Sequence, residues 1–330
     1  MDDCKRQVVI INPSFTKRAC RLVGFFVLSA MLSGCALILP QTSALQKSPP
    51  LISPTNIELE SVPFFAQEKY QCGPAALAMV LNSAGVKVTP EELVDQVYLP
   101  SRKGSLQVDM LSATRRNGLL AYELAPQLQD LLLEISAGHP VIVLENYSFG
   151  LWPVWHYAVA IGYNLKEEEI IRRSGTHFAE ILPFSAFEYI WKTDGYWSMV
   201  ALPLDQIPAS ATETRYANAI LAIEKSGHTK NAHIAYNTLL KRWPKSLVGL
   251  MGIGNTAVKL KDLEGAKSAF LIATQEHPQA VEAFNNLAYV FSELGETEKA
   301  IISAENAVAL GGPLLEKSKE TLLEIRQKIK

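Results

Sequence analysis

The chain has 330 residues, of which 48% are hydrophobic, with 31 Lys and Arg against 33 Asp and Glu. That length and apolar content suit two cored domains, or one domain and a repeat array. A formal net charge of −2 argues against nucleic acid as a partner. At the N-terminal end, Lys17, Arg18 and Arg21 precede an apolar run over residues 22–32. The run is too short to span a bilayer with margin and has the proportions of an export signal. It ends in Leu32-Ser33-Gly34-Cys35.

This ending resembles the lipobox of bacterial lipoproteins. The resemblance implies a signal peptide over residues 1–34, cleavage before Cys35, and a lipid on its thiol. Cleavage would remove five basic and two acidic residues, leaving 26 Lys and Arg against 31 Asp and Glu. Ala36 rather than Asp follows the cysteine, which by the same resemblance implies the outer membrane, with the protein facing the periplasm. Of the four cysteines, Cys4 and Cys20 would be lost and Cys35 occupied. Cys72 would remain a free thiol in an oxidising compartment, a liability unless the thiol has a task. Residues 35–57, rich in Pro, Ser, Thr and Gln, read as the lipidated cysteine and a flexible tether.

A first domain is expected over residues 58–205. Cys72 precedes Gly73 and Pro74, and helix formers follow to about Asn82. Proline is favoured in a first helical turn, so Cys72 is expected at a helix N-terminus, where unpaired N–H groups and the helix dipole favour a thiolate. Thr89-Pro90-Glu91-Glu92 opens a second helix, a third runs to Arg116, and residues 126–136 form a fourth. Strands are expected at 141–146, 156–163, 168–173, 178–182 and 197–202. His156 begins the second of these, at a sheet edge within reach of a cleft. His139, His177, His228, His233 and His277 lie in turns, loops or the helical C-terminal region. Tyr147, Phe149, Trp152 and Trp155 read either as a packed loop or as an aromatic cleft wall. Arg115-Arg116 and Arg172-Arg173 are expected as solvated charges.

Val62-Pro63-Phe64-Phe65, Gln67, Cys72-Gly73-Pro74-Ala75-Ala76-Leu77-Ala78 and His156-Tyr157-Ala158-Val159 with Gly162-Tyr163 together resemble the bacteriocin-processing, double-glycine-leader cysteine peptidases of the papain-like group. The resemblance covers roughly residues 58–203. It implies an α+β papain-like domain in which Cys72 is the nucleophile and His156 the general base and later acid. It implies Gln67 as oxyanion-hole donor beside the Cys72 backbone N–H. The family's third residue, an Asp in the strand after the histidine strand, has no counterpart: Ser174 stands near that place. Asn164 and, more remotely, Glu180 are the alternative orienters of the histidine. Ser174 is expected to accept from the imidazole Nδ1–H.

From Glu213 the chain repeats every 34 residues, with copies beginning at Glu213, Leu247 and Val281. Ile220, Gly254 and Ala288 share the eighth position; Ala232, Ala266 and Ala300 the twentieth; Tyr236, Phe270 and Ala304 the twenty-fourth; Pro244, Pro278 and Gly312 the thirty-second. Small residues at two positions let paired helices approach. The pattern is similar to tetratricopeptide repeats and implies an all-α solenoid over residues 213–330, closed by a polar helix. That resemblance implies a protein partner in a groove lined by Asn255, Asn285, Asn286 and Tyr289.

The expected activity is hydrolysis of a peptide or isopeptide bond through an acyl-enzyme on Cys72, with neither metal nor other cofactor. Two alternatives stand beside it: a non-catalytic scaffold that binds partners, and a transferase that passes the acyl group to an amine.

Overall fold

The stretch from Cys72 to Ser83 forms a helix because its first turn carries Pro74 and its body is Ala, Leu, Met and Val. Residues Gly73 to Leu81 are all buried in it, so this is a core helix rather than an amphipathic one. In the computed structural model, which describes residues 39–66, 71–148 and 152–328, it is the second of the thirteen α-helices among those residues. A short first helix, α1 (Pro40–Lys47), precedes it. After α2 come α3 (Pro90–Val97), α4 (Gln107–Arg116), α5 (Leu128–Ser136) and α6 (Phe184–Trp191). Thr89 and Glu92 close a reciprocal capping box on α3, as their spacing predicts.

The strands are β1 (Asn56–Glu58), β2 (Leu120–Glu123), β3 (Val141–Asn146), β4 (Trp155–Asn164), β5 (Glu169–Ser174), β6 (His177–Pro183) and β7 (Ser198–Leu202). They form one antiparallel sheet in the order β2-β7-β3-β4-β5-β6, with β1 paired to the far end of β4. Five of the seven match the expected strands within a residue or two. β1 and β2 are too short, at three and four residues, to show an alternation.

Both faces of the central strands are buried. Ile142, Leu144, Tyr157, Val159 and Ile161 pack against α2, α3 and α4. Val141, Val143, Ala158 and Ala160 pack against α5 and α6 on the other face. This period-2 partition of an apolar run explains why the strands read as continuously hydrophobic.

The chain divides after Pro40, and residues 41–330 form one unit. The segment expected to be a flexible tether is instead partly folded onto the domain. The Gln41 and Thr42 backbone N–H groups and the Thr42 hydroxyl all donate to the buried Glu188 carboxylate, at 3.0, 2.7 and 2.6 Å. A buried carboxylate needs such donors, and Gln41 and Thr42 supply them.

The helical region forms three antiparallel pairs, α7 (Glu213–Lys225) with α8 (Thr229–Arg242), α9 (Leu247–Lys259) with α10 (Leu263–Glu276), and α11 (Val281–Glu293) with α12 (Thr297–Leu310), followed by α13 (Leu315–Gln327). The first helix of each pair starts at the residue where the 34-residue repeat begins. Gly254 has no Cβ because one would lie 2.3 Å from the Phe270 ring, and at Gly252 one would lie 2.5 Å from Tyr236. Small and bulky positions of the repeat thus interlock. The third copy ends in Gly311 and Gly312, at φ 70° and 76°, where the earlier copies have proline. Tyr216, Ile220 and Ile223 of α7 join the core of the α5 face of the sheet, so the first repeat and the sheet share one apolar interior. Ser210, just before α7, donates from its N–H and hydroxyl to buried Glu134, whose other oxygen meets His139 Nδ1 at 2.7 Å.

Candidate active site

Cys72 is the first residue of α2, and no side chain caps that helix end. The chain must cross close beneath it: a Cβ on Gly73 would lie 2.1 Å from Ser105 Oγ, so only glycine permits this approach. Cys72 and His156 line one cavity of about 850 Å³. One wall is Arg102 to Gln107, the other Pro153 to Tyr157, with Leu144, Gly175 and Asp194 completing it. Gln107 donates to Asp194 across the rim. The thiol lies against the backbone of Tyr157, the residue after His156. No hydrogen bond joins the Cys72 sulfur to the imidazole; catalytic contacts of this kind often tighten only with substrate bound.

Burial pushes the Cys72 thiol above its ordinary value, against the opposing effect of the Tyr157, Gly73 and Cys72 backbone. Burial lowers His156 from 6.5 to about 4, and the Arg172 guanidinium acts in the same direction. Both shifts favour the neutral thiol and neutral imidazole over the ion pair. This corrects the expectation of a thiolate: the helix terminus is present, but desolvation outweighs it.

His156 is oriented from the strands beside it. Its Nε2, not the expected Nδ1, meets Ser174 Oγ at 3.1 Å. Ser174 Oγ also lies 3.1 Å from the Tyr147 hydroxyl. That hydroxyl donates to Glu145 Oε2 at 2.9 Å and accepts from Arg172 Nη1 at 2.8 Å. Arg172 pairs with Glu145 directly and with Glu180 at 2.9 Å. The Tyr147 ring stacks on His156, with centroids 5.2 Å apart and planes at 29°. Glu145 and His156 are direct partners across the β3–β4 ladder. Arg172 and Ser174, two apart on β5, share a strand face.

Arg172 and Arg173 are thus not solvated. They are 2% and 0% exposed. Arg172 is held by the two carboxylates, while Arg173 donates to the Phe178 and Glu60 carbonyls and stacks on the Phe178 ring. Burial raises Glu145 from 4.5 to about 7, opposed by Arg172 and the Tyr147 hydroxyl bond. Sequence reasoning missed Glu145 and placed Tyr147 only in an aromatic wall. The available signal was a carboxylate ending the apolar run of β3 and an arginine inside β5.

Of the other expected residues, Asn164 is the last residue of β4, and its Oδ1 accepts from the Lys166 and Glu167 N–H groups of the following turn, at the opposite end of the strand from His156. Glu180 reaches the cluster only through Arg172. Trp155 lines the cavity and Trp152 is 84% exposed, so the wall is partial. Gln67, Cys35 and Phe149 lie outside the described residues. In the repeats, Asn286 donates to Asn255 at 2.9 Å, and both line a small hollow with Tyr289, Lys259 and Glu224. Among the described residues there is no cluster of His, Cys, Asp or Glu suited to a metal ion, and no helix is long and apolar enough to cross a membrane.

Residues 59–199 match the Peptidase_C39 like family. That match spans the sheet domain, and the paired helices from Glu213 onward lie outside the matched residues. No curated protein matches the chain in sequence. Among solved structures it is similar to a protein described as a C39-like peptidase from Bacillus anthracis, at 18% identity and a TM-score of 0.38, over 44% of this chain and 97% of that one. A double glycine motif protease from an AMS/PCAT transporter, in complex with the leader peptide, is similar at 23% identity and a TM-score of 0.33, over 44% and 93% of the two chains. The helical region is similar to the TPR2B domain of yeast Sti1, at 18% identity and a TM-score of 0.34, over 36% and 99%.

Proposed function

We propose that this chain is a cysteine peptidase of the cell envelope, hydrolysing a peptide or isopeptide bond through a thioester on Cys72. The observation that carries this reading is Cys72 at the head of a buried helix, sharing a cavity with His156 inside a C39-like domain. In the reaction, His156 takes the thiol proton as sulfur bonds to the substrate carbonyl carbon. The oxygen gains negative charge, for which the Cys72 N–H and the Gln67 side chain are the proposed donors. Collapse breaks the C–N bond, and the imidazolium returns its proton to the leaving amine. Water, deprotonated by His156, then cleaves the thioester and the thiolate is reprotonated.

The proposed substrate is a peptide or protein, and the repeats are proposed to bind a protein. Anchoring is proposed through lipid on Cys35, with the domain facing the periplasm from the outer membrane. The scaffold reading has its own support: His156 stays neutral well below neutrality, and Arg172 opposes an imidazolium. An electrophilic peptide probe separates the two. Labelling of Cys72 that slows by at least about a hundredfold in His156→Ala supports catalysis. Equal labelling of both proteins supports the scaffold. Fatty-acid incorporation lost in Cys35→Ser tests the anchor, and incorporation that persists rejects it.

A further inference from the structure

We infer that Glu145, Tyr147 and Ser174 form a directed chain of hydrogen bonds that fixes His156 as its Nε2–H tautomer and leaves Nδ1 as the basic nitrogen. This rests on the Cys72–His156 reading above, and it assigns three positioning residues to the place where a directly bonded carboxylate is missing.

Counting protons fixes the direction. The Tyr147 hydroxyl has one hydrogen and three polar neighbours. Arg172 Nη1 has no lone pair and must donate to it. Glu145 Oε2 accepts, so the Tyr147 hydrogen goes there, at 2.9 Å. Protonation of Glu145 does not reverse this, because Oε1 is buried with no other partner and can carry the proton. Toward Ser174 the Tyr147 oxygen then has only a lone pair to offer. Were the Ser174 hydroxyl turned to His156 instead, two oxygen lone pairs would face each other at 3.1 Å. The Ser174 hydrogen therefore points to Tyr147, and Ser174 Oγ accepts at 3.1 Å from His156, whose Nε2 must carry the hydrogen. Stacking of the Tyr147 ring on the imidazole limits the ring's rotation.

The chain positions the imidazole without supplying it with a neighbouring negative charge. Arg172 touches Glu145, Tyr147 and, at 3.5 Å, Ser174, so positive charge lies between the buried carboxylate and the histidine. His156 is thereby directed as a base yet kept from charging at rest.

The test uses the full chain with 15N-labelled histidine, the His156 resonances being those lost in His156→Gln. At neutral pH the two ring nitrogens should show the Nε2–H pattern. Tyr147→Phe keeps the Glu145–Arg172 pair but frees the Ser174 hydroxyl, so a mixture of tautomers should appear and Cys72 alkylation should slow in proportion to the fraction of His156 that leaves the Nε2–H form. Adding Ser174→Asp to Tyr147→Phe supplies a direct acceptor and should restore the single Nε2–H form. An Nδ1–H pattern in the unmodified protein, or a Tyr147→Phe spectrum identical to it, overturns the inference. Neither result touches the peptidase reading, which fails separately if Cys72 alkylation ignores His156→Ala.

Discussion

The sheet domain and the helical repeats handle charge in opposite ways. In the repeats, ion pairs such as Lys319–Glu316 and Lys328–Glu293 lie on the surface, and the interior is alanine, glycine, leucine and aromatic rings. In the sheet domain, Glu134, Glu145 and Glu188 are each fully buried. Each of these glutamates gathers polar groups from a neighbouring segment: Glu188 from the start of the unit, Glu134 from the approach to the first repeat, and Glu145 from the surroundings of His156. The difference teaches that periodic helix packing is stabilised locally. A buried carboxylate instead acts as a clamp, tolerable only where several donors converge.

Breaking the Glu145 clamp should have the largest effect on stability. Glu145→Ala leaves the Arg172 guanidinium buried with only Glu180 as counter-charge, and should cost about 3–5 kcal/mol in urea unfolding. The next effect appears in the pH dependence. His156 has a folded pKa of about 4 against 6.5. Between those values the unfolded chain binds more protons, so this group makes stability rise with pH. Glu145 has a folded pKa of about 7 against 4.5. Between those values the folded chain binds more protons, so stability falls with pH. The two slopes oppose each other over most of the same window, each amounting to about 3 kcal/mol in full. The unmodified protein should show little slope from this pair. His156→Gln should reveal a stability that falls as pH rises, and Glu145→Gln the reverse, both read from unfolding midpoints.

In the repeats, Gly254→Ala places a methyl group against the Phe270 ring and should cost about 1–3 kcal/mol, more than the gain of about 1 kcal/mol in helix propensity. Combining it with Phe270→Leu should recover part of the loss, a coupling that a double-mutant cycle would read. Lys319→Ala removes an exposed i,i+3 pair and should leave the unfolding midpoint unchanged within error.

These contrasts explain what could be read from the sequence. The repeat boundaries were visible because Glu213, Leu247 and Val281 each restart one packing pattern. The long strands were visible because an apolar run ending in glycine or a turn has few other readings. Cys72 and His156 stood out because one opens its helix and the other is the second residue of its strand. Of the cluster behind His156, Ser174 and, remotely, Glu180 were legible, whereas Glu145, Arg172 and the bonding of Tyr147 were not. The cluster's members come from β3, the residue after it, β5 and β6, and their meeting depends on strand order and register, which no local pattern encodes. The charge state of the pair was misread for a related reason: a helix terminus is a local feature, whereas burial is set by the whole domain.

The apolar interior shared by α7 and the sheet has a consequence for dissection of the molecule. Ending the polypeptide after Leu204, where the family match would suggest a natural cut, would strip Tyr216, Ile220 and Ile223 from the α5 side and open that surface to water. Such a fragment would tend to aggregate rather than report on the chemistry. The same seam makes the first repeat part of the domain's core, so a substitution at Tyr216 or Ile220 should lower the stability of the sheet as well as that of the helices.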